Sequence, residues 1–312
     1  MDELQGRPAL RALSIGEIFD RAVTMYVRHF AVFTLIVLTL LVPIGILDYF
    51  VTDRSTSQLS QLLAQISHPG AHNSVLYSPS QLSAISAVAL LTLLLAPFTN
   101  NAVAVGVAAI YAGRAPTYAG GYERVLRRWA PLLGTTILCG LILLATYVAV
   151  VFGAFIVAFT VTLLAVAARF FIVLFAIVGL VAVLAILLLF VLLVMCCAFA
   201  LYASTIEEAR PADAIGEAFR RLFNRREIGK ATLISLAYLA IQIGAFVIGA
   251  SLAALLLSFA HSSVLELAVE TVINAAVTAF VTILLATYYY DVRTRSEGLD
   301  LEVDLERLTA PS

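Results

Sequence analysis

Apolar positions fall into two patterns along this chain: long uncharged runs, and short charged segments whose apolar residues recur on one helical face. From Pro211 to Lys230, PADAIGEAFRRLFNRREIGK, one face carries Ile215, Ala218, Phe219 and Leu222, and the other Arg220, Arg221, Arg225, Arg226 and Lys230. This predicts an amphipathic helix on a membrane surface. Pro211 at its first position and Asp213 in its first turn suit a helix start. Pro116 to Trp129 repeats the pattern, with Tyr118, Tyr122, Val125, Leu126 and Trp129 opposite Glu123, Arg124, Arg127 and Arg128. A third copy opens on Ser14-Ile15-Gly16-Glu17, which has the spacing of a capping box. Ile15, Ile18, Phe19, Ala22 and Tyr26 form its stripe, and it reads without a break into Ala31 to Phe50.

About twenty apolar residues cross a bilayer core. Ala31 to Phe50 is the first span, with Pro43 near its outer end, and Leu82 to Tyr111 is the second, uncharged for 30 residues. No charge appears from Trp129 to Ala168, nor from Phe170 to Ile206; these runs allow two bent or protruding helices or three shorter ones. Basic clusters at both ends require an even number of crossings, so two are expected, turning around residues 165–171. The fifth span follows Ala231 to about Phe259, with His261-Ser262-Ser263 as an outer turn. Glu266 and Glu270 then precede the sixth, Thr271 to Tyr290, and a polar tail fills 291–312.

Composition agrees: 62% hydrophobic and 12% charged residues over 312 positions exclude an ordinary soluble domain. The reading is an all-α polytopic membrane protein, six transmembrane helices in three hairpins, each preceded by an amphipathic interfacial helix. Of the 19 basic residues, 17 fall on one side of such a bundle, which places both termini in the cytoplasm of a cell-membrane protein. Nothing in residues 1–30 resembles a cleavable signal peptide, so the first span is expected to serve as the insertion signal. Phe19-Asp20-Arg21, Tyr122-Glu123-Arg124 and Phe219-Arg220-Arg221 align at spacings of 103 and 97 residues. They divide one membrane domain into pseudo-repeats of about 14–113, 114–208 and 209–295, each with a Glu to Arg pair one turn apart: Glu17 with Arg21, Glu123 with Arg127, Glu217 with Arg221.

Candidate chemistry is sparse. Asn100 and Asn101 follow Pro97 within the second span, and hydrocarbon cannot satisfy their amides, so they either bond between helices or line a polar intramembrane site. His68 and His72 have metal-ligand spacing on a helix, but Pro69-Gly70 breaks it, and a solvated loop is the expectation. Cys139, Cys196 and Cys197 read as small buried side chains, with palmitoylation of the adjacent pair as the sharper alternative. No HExxH, GxSxG or P-loop occurs, so no catalytic residue, metal or cofactor is expected. Asp48, Glu266 and Glu270 fall near outer helix ends, which argues against coupled transport but leaves an uncoupled conduit for a lipid or apolar solute.

Three blocks resemble a known family: ALSIGEIFDRAVTMYVRHF, EARPADAIGEAFRRLF and TYYYDVRTRSEGLDLE. They look like the membrane domain of prokaryotic glycerophosphoryl diester phosphodiesterases, which also occurs in stand-alone membrane proteins. The resemblance implies a membrane region that can be fused to a soluble diesterase. The longest polar stretch here is about thirty residues, whereas a diesterase barrel takes about 250, so no catalytic residue carries over. The expected function is a non-enzymatic module that binds or organises lipid, or a membrane or cytoplasmic protein, at the inner leaflet, with no nucleic acid. Arg124, Arg127, Arg128, Arg220, Arg221, Arg225 and Arg226 are the candidate headgroup contacts, each gaining about 1 kcal/mol near an anionic leaflet. The bland alternative is that they only set topology.

Overall fold

The computed structural model describes residues 12–51, 79–167, 172–225, 227–260 and 263–297. These contain nine helices: α1 Ile15–Arg28, α2 Phe30–Val51, α3 Pro79–Tyr111, α4 Tyr118–Arg127, α5 Trp129–Ala167, α6 Ile172–Ile206, α7 Pro211–Leu222, α8 Ile228–Ala260 and α9 Ser263–Glu297. The six long ones are long and apolar enough to cross a membrane, and among the described residues there is no strand. The protein is an all-α, multi-pass membrane protein of three hairpins, α2/α3, α5/α6 and α8/α9, each preceded by a short helix.

The packing is cyclic. The outgoing helices α3, α6 and α9 touch one another, and each ingoing helix packs on its hairpin partner and on the outgoing helix of the hairpin before it: α5 on α3, α8 on α6, and α2 on α9. The short helices obey the same rule, with α4 on α3, α7 on α6, and α1 on α9 to close the ring. They form a collar at one end of the bundle.

Each collar helix is anchored at both ends. At its start it meets an ingoing helix: the Tyr118 hydroxyl lies 3.1 Å from Thr39 Oγ1 of α2, Pro211 sits against Gly134 of α5, and Lys230 of α8 donates to the carbonyl of Leu13, just before α1. Further along, an arginine reaches the next outgoing helix. Arg21 lies over the ring of Tyr111 in α3, Arg124 donates to the Ile206 carbonyl of α6, and Arg221 lies over Tyr289 of α9. These are the three arginines that the sequence alignment superposes.

Local chemistry explains where the short helices start and stop. Ser14 Oγ accepts from the Glu17 amide at 3.3 Å and the Ser14 amide donates to Glu17 Oε2 at 2.7 Å, closing the capping box. Thr117 caps α4 by accepting from the Gly120 amide at 3.2 Å. The expected continuity of α1 with the first span is corrected: the chain leaves helical geometry at His29 (φ −124°, ψ 25°), which lets α1 turn onto α9. Close approach needs glycine at two places. A Cβ on Gly121 would lie 2.9 Å from the Ala102 carbonyl oxygen, and one on Gly106 2.7 Å from the Phe33 ring.

The sixth span also differs from expectation. α9 runs from Ser263 through Asp291 to Glu297, so Glu266 and Glu270 lie within it and the helix outlasts the predicted start of the tail by two turns. What holds that extension is the buried Asp291, described below. Pro43 is accommodated inside a continuous α2. His68, His72, most of the predicted turn at 165–171, His261 and Ser262, and the tail beyond 297 lie outside the described residues.

The core gathers at the collar end. Among the described residues, those buried in α3 begin at Thr99, in α6 at Val191 and in α9 at Ala275, while those of α5 and α8 end at Cys139 and Ser235. Beyond these levels the helices present exposed leucine, valine and phenylalanine, the surface that lipid covers. Cys139, Cys196 and Cys197 lie inside the core as small packing residues.

Candidate functional site

Four polar regions stand out: two charged clasps and an adjoining basic cleft at the collar end, and a groove in the opposite half. The clasps are built on the last turns of α9, where YYYDVRTR places three tyrosines, one acid and two arginines in succession. In the first, Arg221 of α7 grips Glu207, beyond the end of α6, through two bonds of 2.8 and 3.0 Å, and also pairs with Glu217 at 3.0 Å. Tyr289 donates to Glu207, and Arg293 approaches it at 3.3 Å. Burial pushes the Glu207 carboxyl upward in pKa, but bonds from Arg221 and Tyr289, with the charges of Arg221 and Arg293, outweigh it and hold the group below its ordinary value.

The second clasp centres on Asp291, whose side chain has no exposed surface. It accepts from the Leu13 amide at 2.6 Å and pairs with Lys230 at 2.5 Å and Arg295 at 3.3 Å. Lys230 and Arg295 each donate to the Leu13 carbonyl at 2.6 Å. One carboxylate therefore ties the entry to α1, the start of α8 and the end of α9.

Beside the first clasp, a cleft of about 710 Å³ opens between α3, α4 and the end of α6. Arg114, Arg124, Arg127 and Arg128 line it, against Glu123 and Glu208. Arg127 pairs with Glu123 at 2.6 Å and Arg128 with Glu208 at 3.0 Å. Such exposed pairs contribute about 0–1 kcal/mol and exchange readily for other ions. Glu208 of the lining adopts a left-handed backbone (φ 62°), as does Gly113 after α3 (φ 73°), a conformation that favours glycine at the second and strains the first.

The sequence-predicted residues thus separate. Arg124, Arg127 and Arg128 share the cleft, while Arg220 and Arg225 are exposed on and just after α7. Arg221 is corrected: its side chain is 4% exposed and its charge is neutralised inside the protein, because burial of a guanidinium demands carboxylate partners. Arg226 lies outside the described residues. Asn100 and Asn101 part company because neighbours on a helix point about 100° apart. Asn101 is fully buried, its amide donating to the Pro97 carbonyl at 2.8 Å while its Oδ1 is buried without a hydrogen-bond partner among the described residues. Asn100 lines the groove between α2, α3 and α9, with Asp48, Glu270 and Asn274.

Sequence reasoning missed both the clasps and the company Asn100 keeps. The run YYYDVRTR was the available signal for the first, since an acid preceded by three tyrosines and followed by two arginines suits a buried hub. Nothing local signalled the second, whose members come from three separate helices.

Fold and sites together define a six-span helical membrane protein with a charged collar. No protein-family model matches the chain, and no curated protein or solved structure matches it either.

Proposed function

We propose that this protein is a non-enzymatic membrane module that binds anionic lipid headgroups at the inner leaflet of a cell membrane, with both termini cytoplasmic. The observation that carries the reading is the α3–α4–α6 cleft, where four arginines meet two glutamates. Its rim supports membrane contact: Leu126 and Trp129 are exposed beside Arg127, a mixture suited to the headgroup boundary. The likeness to the diesterase-associated membrane domain enters as part of the same proposal. Its three blocks supply α1, α7 and the end of α9, the elements joined by the clasps, so a shared collar would account for it.

The test is reconstitution of the purified chain into nanodiscs of mixed phosphatidylcholine and phosphatidylglycerol, with retained lipid measured by native mass spectrometry. Phosphatidylglycerol should be enriched, the enrichment should fall as salt rises, and Arg114→Gln with Arg127→Gln should reduce it several-fold. Equal retention of the two lipids in the unaltered protein would remove the proposal.

A further inference from the structure

Arg124 of α4 and Arg221 of α7 hold aligned positions in the collar, and each reaches the end of an outgoing helix. Around Arg221 the protein supplies its own anion. The guanidinium grips Glu207 at 2.8 and 3.0 Å, and the Tyr289 hydroxyl donates to the same carboxylate. Arg124 has a neutral acceptor instead, the Ile206 carbonyl at 3.3 Å, and no carboxylate among the described residues pairs with it.

The residue after Tyr289 stands to Arg124 much as Tyr289 stands to Arg221. Tyr290 lines the cleft together with Arg124, is 9% exposed, and stacks its ring on that of Tyr111 at 4.5 Å. Its hydroxyl lies within the field of the Arg124 guanidinium and forms no hydrogen bond with a described residue. Buried hydroxyls are ordinarily bonded, because an unmade bond forfeits the solvation the group has already lost. Of the other arginines in the cleft, Arg127 is balanced by Glu123 and Arg128 by Glu208, while Arg114 is exposed and has no carboxylate partner among the described residues. Four arginines against two glutamates leave two positive charges in excess. Arg114, Arg124 and Tyr290 are the donors that remain for an anion.

Resting on the reading of this cleft as an anion site, we propose that its ligand is a phosphate monoester, for which Arg124 and Tyr290 do what Arg221 and Tyr289 do for Glu207. Charge and donor number select the class. A phosphate monoester carries about −1.5 to −2 at pH 7 and three strong acceptor oxygens, which matches two uncompensated arginines and a phenol. A phosphodiester headgroup carries a single charge and one acceptor oxygen fewer. Arg114 and Arg124 meet the charge, and the Tyr290 hydroxyl, fixed by its stack on Tyr111, is the specificity-determining contact to the remaining oxygen. Two sources offer this chemistry: a lipid, phosphatidic acid, and a soluble ester such as glycerol 3-phosphate.

The experiment uses the whole chain in phosphatidylcholine nanodiscs doped equally with phosphatidic acid and phosphatidylglycerol, with retained lipids counted by native mass spectrometry. Phosphatidic acid should exceed phosphatidylglycerol about tenfold. Tyr290→Phe, which keeps the ring stack, should bring the two close to parity with both still enriched over phosphatidylcholine, and Arg124→Gln should lower retained phosphatidic acid about tenfold. Equal retention of the two anionic lipids by the unaltered protein would overturn the monoester assignment and leave the anionic-headgroup reading standing; enrichment of neither would remove both. These comparisons need no variant to fold. A Tyr290→Phe protein with an unchanged thermal midpoint and the full preference for phosphatidic acid would overturn the part given to the hydroxyl. Calorimetric titration of glycerol 3-phosphate into undoped phosphatidylcholine nanodiscs separates the sources. Binding that Tyr290→Phe weakens assigns the site to a soluble ester, and no binding beside a retained preference for phosphatidic acid assigns it to the lipid.

Discussion

The two ends of this bundle solve the same packing problem in opposite ways. At the collar end, α3, α6 and α9 converge on small residues and threonines: Ala275, Ala279, Thr282, Ala286 and Thr287 of α9 are all buried. Charged side chains there are locked into clasps. At the far end α5, α6 and α8 present leucine, valine and phenylalanine outwards, and among the described residues of α5 nothing past Cys139 is buried. Hydrophobicity is thus a poor guide to the core of a membrane protein. Lipid solvates leucine as well as protein does, so association comes from close backbone approach and from polar groups that hydrocarbon cannot satisfy. The polar cavities follow the same division, a cleft lined by arginines at the packed end and a groove lined by Asp48 and Glu270 where the helices open.

Four substitutions sharpen the contrast. The largest effect should come from Asp291→Ala, which removes the carboxylate partner of the nearly buried Lys230 and of the Leu13 amide and loosens Arg295. Loss of one partner of a buried pair costs about 3–5 kcal/mol, and a thermal unfolding curve in detergent should shift down accordingly. An unchanged midpoint would show that the clasp holds nothing together. Next is Gly121→Ala, which forces a methyl against the Ala102 carbonyl and should cost about 1–3 kcal/mol in the same assay.

A smaller effect is expected from protonating Glu207. Its pKa is depressed in the folded protein, so its contribution is complete above the ordinary value of about 4.5 and is lost as pH falls through the lower native value. Glu207→Gln should therefore flatten that part of the acid unfolding profile, and a profile identical to the unaltered protein would argue that the clasp is not what titrates. The least effect belongs to the far end: Phe152→Ala on exposed α5 should stay within about 0.5 kcal/mol. A large loss there would mean that a partner, and not lipid, covers that face.

Much of the fold was readable along the chain. Six spans follow from uncharged runs whose length matches a bilayer, and three collar helices from apolar residues on one face, with Ser14 and Glu17 marking a helix start. The collar residues themselves were harder. Ile215, Ala218, Phe219 and Leu222 read as one apolar face, yet Ala218 and Leu222 are buried while Phe219 is exposed, and Arg221 is buried with them. Periodicity sorts residues by polarity around a helix axis; it cannot say which neighbour offers a carboxylate. Arg220 and Arg221 are identical in type and adjacent, and the partners supplied by other segments, Glu207 and Tyr289, separate a solvated charge from an internal one.

By itself, then, the sequence determined the number of crossings, the positions of the short helices and the end of the bundle at which basic residues gather, because these depend on local hydropathy and on charge counted segment by segment. Tertiary structure decided the cyclic order in which hairpins and collar helices interlock, the conversion of Arg221 and Asp291 into buried clasps, and the meeting of Asp48, Asn100 and Glu270 on one groove. Each of these joins residues that are far apart in the chain, and the favourable term lies in pairing and close packing between helices, which no single segment carries.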